Sequence, residues 1–274
     1  MSDKAEERGF GDAYWDSIVS KSSGEDRQDL WRAHMKELYE GLTDRWRAKE
    51  KPGRILKTDL YEEAVSRHNL MPALACWCDH MVGTDLSFET ARAAKQRMGD
   101  EWAGCRSIVV SDVRNQAFKS NAFDEILSNS TLDHFQDRKH ILQSLGELRR
   151  ILKPGGVLII TLDNPWNPVV FLRNRLPYRP LKRLGVIPYY MGVTCSRPQL
   201  IRALESEGFR VDDSTAIVHG PRIVAIHAGR LLDRIGRERS KASFLRLLRA
   251  LEGLERLPTK YVTGHYVAVK AVKV

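Results

Sequence analysis

A chain of 274 residues with 42% apolar residues and a net charge of +9 has enough length for one sizeable core with additions, and its composition excludes a disordered or fibrous polypeptide. No uncharged apolar run of about 18 residues is present and Met1 to Arg8 carries no signal stretch, so the expectation is a cytoplasmic protein without a membrane span. Four cysteines give no disulfide framework, and Cys76-Trp77-Cys78, with no second pair at zinc-finger spacing, reads as a helix end with no metal expected.

Residues 12–50 read as helix. Leu30, Trp31, His34, Met35, Leu38, Tyr39, Leu42 and Trp46 fall three and four apart and make one apolar stripe. Lys51-Pro52-Gly53 breaks the pattern and divides an N-terminal helical cap (1–50) from the main unit (51–274). Arg54 to Thr58 is the first expected strand, with a helix over 61–77 behind it. A second strand over 80–84 leads to Asp85, Ser87 caps a helix over 88–98 that ends at Gly99, and a third strand over 107–111 leads to Asp112. A fourth strand covers 123–128. A helix through 137–152 then puts Ile141, Leu142, Leu145, Leu148 and Ile151 on one face. Lys153-Pro154-Gly155-Gly156 is a turn, and Val157 to Leu162 is apolar throughout, as a strand covered on both faces should be. A helix over 197–207 stops at Gly208, a sixth strand starts at Phe209, residues 224–256 are helical, and Tyr261 to Val274 closes the sheet. Repeated βα units followed by a late strand pair predict the α/β class with a Rossmann-like, doubly wound sheet.

Asp85 and Asp112 each end a short apolar run, one βα unit apart. Carboxylates at the ends of parallel strands face the crevice where open α/β sheets bind ligands. Two of them can hold a nucleoside, the first on the ribose hydroxyls and the second beside the base. No Gly-x-Gly-x-x-Gly follows the first strand, which argues against a dinucleotide. The positive charge is uneven: residues 164–200 contain Arg173, Arg175, Arg179, Lys182, Arg183 and Arg197 and no acid. Such a segment is either solvated surface or an attraction for anionic substrates or membranes, whereas no helix-turn-helix, zinc-finger or RNP-type signature points to nucleic acid.

Leu148-Arg149-Arg150-Ile151-Leu152-Lys153-Pro154-Gly155-Gly156-Val157-Leu158-Ile159-Ile160 resembles the helix-turn-strand stretch of class I S-adenosylmethionine (SAM)-dependent methyltransferases of the type 11 kind. Phe123 to Ser128, Leu132-Asp133-His134-Phe135 and Glu207-Gly208-Phe209 resemble further stretches of that superfamily. The resemblance implies a seven-stranded sheet with the last strand antiparallel, N-terminal helices and two inserts, at 163–197 and 221–258. It also implies SAM as cofactor, S-adenosylhomocysteine as product, and a methyltransferase (EC 2.1.1.-) acting on a small or medium-sized acceptor, anionic or lipid-linked. The competing expectation is a non-catalytic protein of the same fold.

By that resemblance Asp85 with Leu86 takes the ribose, Asp112 with Val113 the adenine, and Ser128 and Asn129 line the methyl-transfer end. Asp133 and His134 stand where a general base would act. One departure is plain. The family's first strand leads into a glycine-rich turn, but Lys57-Thr58-Asp59-Leu60-Tyr61 has no glycine, and Asp59 occupies the place of the first. Asp59 and Lys57 would then meet the ammonium and carboxylate of SAM. The 163–197 insert is long enough to be functional. Asn164, Trp166, Arg173, Tyr189 and Tyr190, with Tyr14 from the N-terminal side, are its expected substrate contacts. Apolar and basic residues alternate over 169–187, as in an interfacial helix or in a lid with a basic outer face. A peripheral membrane contact and a homodimer are the remaining partner expectations.

Overall fold

Neighbouring residues of a strand point to opposite faces of its sheet, and here they divide between two cores. Leu56, Ile126, Leu158 and Ile160 join one, while Ile55, Leu127 and Ile159 join the other. A computed structural model describes residues 11–22, 28–47, 51–99, 106–183, 187 and 190–274. Its sheet contains β1 (Arg54–Thr58), β2 (His80–Asp85), β3 (Arg106–Val110), β4 (Phe123–Asn129), β5 (Leu152–Asp163), β6 (Phe209–Ile217) and β7 (Tyr266–Lys273), in the order β3-β2-β1-β4-β5-β7-β6. β1 to β5 pair in parallel, and β7 runs antiparallel to both β5 and β6. The strand order reverses between β1 and β4, which opens a crevice at their carboxyl ends.

The helices are α1 (Asp12–Ser22), α2 (Asp29–Trp46), α3 (Tyr61–Val65), α4 (Met71–Ala75), α5 (Phe88–Met98), α6 (Arg138–Ile151), α7 (Pro168–Arg173), α8 (Tyr178–Arg183), α9 (Arg197–Ser206), α10 (Arg222–Ile235), α11 (Glu238–Leu251) and α12 (Lys260–Thr263). Val19 of α1 and Leu42 and Trp46 of α2 are buried with α3, α4 and the sheet, so the N-terminal helices share the sheet's core. Trp31 of α2 belongs to a third cluster with Ala225 of α10, Leu248 of α11 and Tyr266.

Several expected elements are subdivided. The helix expected over 61–77 is two short ones, because Glu63 turns inward: Lys57 Nζ donates to its Oε2 at 2.9 Å, and the Leu70 and Met71 amides lie 3.3 and 3.4 Å from its Oε1. The helical stretch 224–256 breaks at Gly236, whose φ of +73° caps α10. Within 261–274 a turn of helix, α12, precedes the strand. Lys153 to Gly156 bulge out of β5 between the pairs Phe123–Leu152 and Glu125–Val157. Gly155 adopts φ +75°, and a Cβ on Gly156 would fall 2.9 Å from the Asp124 carbonyl oxygen. Among the described residues no helix is long and apolar enough to cross a membrane, and no group of three or more metal ligands occurs.

Candidate active site

A cavity opens at the carboxyl ends of β1 to β4. Lys57, Thr58 and Asp59 line it from β1, Asp85 and Leu86 from β2, Ser111 to Arg114 from the end of β3, and Asn129 to Thr131 from β4. Asp59 has φ +70°, a left-handed conformation that suits glycine and that aspartate tolerates. Its Oδ1 accepts from the Tyr61 amide at 2.7 Å, and Lys57 Nζ donates to its carbonyl at 2.5 Å. The turn keeps a glycine-like backbone while adding a carboxylate. Lys57 borders the cavity, but its ammonium is bound to Glu63 and to this carbonyl, so the geometry offers no support for its pairing with a ligand carboxylate.

Asp85 accepts from the Leu60 amide at one oxygen and the Ser87 amide at the other, both at 2.8 Å. Burial first, then the charge of Asp59, pushes its pKa up to about 7. Ser87 caps α5 through the Thr90 amide and donates to Asp16 of α1, which fastens α1 over this end of the cavity. Asp112 is held by Arg114 at 2.6 to 3.0 Å. Burial would raise its pKa, but the Arg114 hydrogen bonds and charge outweigh it and keep it below the ordinary carboxylate range.

Ser128 moves away from its expected place: it is fully buried and hydrogen-bonded to Thr58 at 3.0 Å, and Asn129, Ser130 and Thr131 border the cavity instead. Asn129 Oδ1 is buried without a partner among the described residues. His134 reaches the cavity, whereas Asp133 is wholly buried behind it. Asp133 accepts from Ser130 Oγ at 2.7 Å and from the Asp163 amide at 3.2 Å. Burial, and then the charge of Asp163, raises its pKa. His134 Nδ1 lies 3.1 Å from the Tyr190 carbonyl. A carbonyl only accepts, so Nδ1 carries the proton and neutral His134 keeps its lone pair on Nε2. Nε2 is 3.8 Å from Asp133, beyond hydrogen-bonding distance, and Trp15 packs edge-on against the ring with centroids 4.8 Å apart.

The opposite wall of the cavity was not foreseen. Trp31, Arg32, Met35, Lys36 and Tyr39 come from α2, with Arg222 from α10 and Tyr266 from β7. The apolar stripe of α2 therefore serves a cavity as well as a core. The signal in the sequence was Arg32 and Lys36, four apart beside that stripe. Burial pushes the phenol pKa of both Tyr39 and Tyr266 upward, so both remain protonated.

The 163–197 insert contributes less directly than expected. Asn164 is fully buried and its amide donates to the Tyr261 and Gly264 carbonyls, which ties the insert to α12. Trp166 is half exposed, away from the cavity. Arg173 is paired with Asp163 at 2.5 Å. Tyr14 accepts from the Tyr190 amide at 2.9 Å and lies 3.2 Å from the Tyr178 hydroxyl, so it clasps the insert rather than bordering the cavity. Tyr190 and Arg173 line a separate hollow with Arg138 and Tyr178. Tyr189 lies outside the described residues.

Gly192 presses the insert onto the His134 loop. Its amide donates to the Asp133 carbonyl and that of Val193 to the Phe135 carbonyl, both at 2.7 Å, and a Cβ would lie 2.0 Å from the Phe135 oxygen. Gly192→Ala is expected to destabilise the fold by about 1–3 kcal/mol and to draw the Tyr190 carbonyl off His134. Thermal unfolding and the His134 imidazole shifts in NMR check this; unchanged shifts refute it.

Residues 49–160 match the family model described as a methyltransferase domain. A human protein described as probable tRNA methyltransferase 9B is 31% identical over 81 residues, which is 30% of this chain and 16% of that relative's length. The geranyl diphosphate C-methyltransferase of Streptomyces coelicolor, solved with Mg2+, geranyl diphosphate and S-adenosyl-L-homocysteine, superposes with a TM-score of 0.59 at 15% identity, over 87% of this chain and 77% of that one. The cyclase SpnF superposes with a TM-score of 0.57 at 17% identity, over 92% and 86% of the two chains. At these identities the likeness concerns the fold.

Proposed function

We propose that this chain is a class I SAM-dependent methyltransferase with SAM as its cofactor, a reading supported by the methyltransferase-domain match over residues 49–160, and that it methylates a small acceptor with an anionic group and an apolar body. The observation that supports this reading is the lining of the cavity, which brings carboxylates at the ends of β1, β2 and β3 together with aromatic side chains of α2 and β7 and the guanidinium of Arg222 from α10.

Asp85 accepts from the ribose hydroxyls, Asp112 and the Val113 amide meet the adenine, and Asp59 faces the ammonium. Bound SAM supplies an electrophilic methyl group. Arg222 holds the acceptor's anionic group, and Trp31, Met35, Tyr39 and Tyr266 enclose its body and exclude water, while Arg32, paired with Glu62 and the Val65 carbonyl, and Lys36, paired with Glu40, add positive charge to that wall without a free contact to offer. His134 Nε2 takes the acceptor's proton where the nucleophile carries one. The match to the tRNA methyltransferase stays within 30% of this chain, so it supports a shared domain and says nothing of a shared acceptor.

Isothermal titration tests the cofactor side with SAM and S-adenosylhomocysteine. Transfer of labelled methyl into a panel of aromatic and aliphatic carboxylates and phosphates tests the acceptor side. Arg222→Gln should raise KM for the anionic acceptor about tenfold or more, with kcat changed far less, because a uniform binding contact is lost. Failure to bind either nucleoside would favour the non-catalytic reading, which has one observation behind it: Lys57 spends its charge on Glu63.

A further inference from the structure

The insert carries a surface that the cavity does not use. Val170 and Leu181 bury it against the protein at 0% and 7% exposure, but Trp166, Phe171, Leu172 and Leu176 remain 50%, 48%, 58% and 46% exposed. Arg175 is exposed and lies over the Phe171 ring at 3.3 Å, and Arg183, at the end of α8 in the same insert, is exposed as well. Arg173 is turned inward onto Asp163. No acid occurs anywhere from 164 to 200. We propose that this face docks on an anionic lipid surface, with the aromatic and leucine side chains entering the boundary between headgroups and acyl chains.

Charge complementarity decides between occupants. Protein interfaces fix register with both signs of charge, whereas a sheet of anionic headgroups attracts every cation alike and needs no acid in return. The apolar side chains are of the kind that partition into the interfacial layer. The seat is rigid on its inner side, because Asn167 caps α7 and donates to the Thr263 carbonyl at 2.9 Å.

Co-sedimentation of the full chain tests this with vesicles of phosphatidylcholine alone and of phosphatidylcholine mixed with phosphatidylglycerol. Binding to the mixed vesicles should be at least tenfold tighter and should weaken with added salt. Phe171→Ser/Leu172→Ser/Leu176→Ser and, separately, Arg175→Glu/Arg183→Glu should each reduce it about tenfold or more while leaving SAM titration unchanged. Should a variant fail to fold, a vesicle-induced blue shift of tryptophan emission that Trp166→Phe abolishes supplies the same information. Equal binding to both vesicle types, no binding, or full binding by both variants overturns the proposal. So does a solution dimer that the serine variant dissociates, which would assign the face to a second copy.

Discussion

Replacing Arg173 by methionine is expected to cost about 3–5 kcal/mol of stability, because it removes one partner of a buried ion pair and leaves the other. For a chain of this size that is a fall in Tm on the order of 10 °C. Asp163 is fully buried, its carboxylate is 2.5 Å from the Arg173 guanidinium, and its amide donates to the equally buried Asp133. His265, 3.6 Å away, gives no charge, since burial pushes its pKa down to about 3. Burial would raise the Asp163 pKa, but the charges of Arg173 first, then of His265 once acid protonates it, and then of Arg222 outweigh it and depress it. A depressed carboxylate stabilises the fold above its unfolded pKa of about 3.9 and loses that contribution as pH falls through the folded value. Without Arg173, burial faces a weaker opposition, from Arg222, and the Asp163 pKa moves upward, toward a group that keeps its proton in the folded state. Its penalty is then largest at neutral pH and is relieved on acidification. The deficit of the variant should therefore shrink as pH falls from 7 toward about 4, and Arg173→Met/Asp163→Asn should recover much of it. Thermal unfolding across that range is the measurement. A deficit independent of pH, or below about 1 kcal/mol, would show that the pair does not hold the insert to the sheet.

The sheet was legible because its strands carry their own evidence. Adjacent residues such as Ile55 and Leu56 must face opposite cores, and that demand forces apolar runs that periodicity detects. The acids at strand ends were legible for the same reason, since the run fixes where each strand stops. The break between α3 and α4 was not, because it depends on Glu63 turning inward to Lys57. Two residues six apart in the chain decide it, with nothing in their spacing to announce the contact. The wall formed by Trp31, Met35 and Tyr39 was visible only as an apolar stripe, because a stripe that packs on a core and a stripe that borders a cavity have the same period. Only Arg32 and Lys36 beside it distinguish the two. Asn164 and Arg173 were misplaced because polar side chains near a strand end serve equally well to anchor a loop, and here they do so through α12 and Asp163. Asp59 is the opposite case. The glycine is missing from the sequence, yet the backbone keeps a glycine-like turn at φ +70°, because a short side chain that accepts the Tyr61 amide can occupy the left-handed region.

That retained turn bears on the second large effect, a pH-dependent SAM affinity that vanishes in Asp85→Asn. Both Asp85 oxygens accept backbone amides, from Leu60 and Ser87 at 2.8 Å, and each retains capacity for a further donor. A ribose diol supplies two such donors, which matches the carboxylate and not the carboxylic acid. Burial, and then the charge of Asp59, pushes the Asp85 pKa up to about 7, so a proton competes for this carboxylate near neutrality in the ligand-free protein. Asp59, whose pKa burial also raises, shares in that step. Binding a cationic nucleoside favours the ionised form, so the proton must leave first. Affinity should consequently climb as pH rises from 6, level off above about 7.5, and gain at most tenfold per pH unit on the slope. Asp85→Asn keeps the shape but turns an N–H donor toward one of the two amides, so affinity should drop more than tenfold and the slope disappear. Asp112→Asn makes the contrast, because Arg114 already keeps that carboxylate ionised throughout this range and its loss should lower affinity without altering the slope. A wild-type affinity flat from pH 6 to 8, or an Asp85→Asn variant within threefold of it, would remove Asp85 from the ribose.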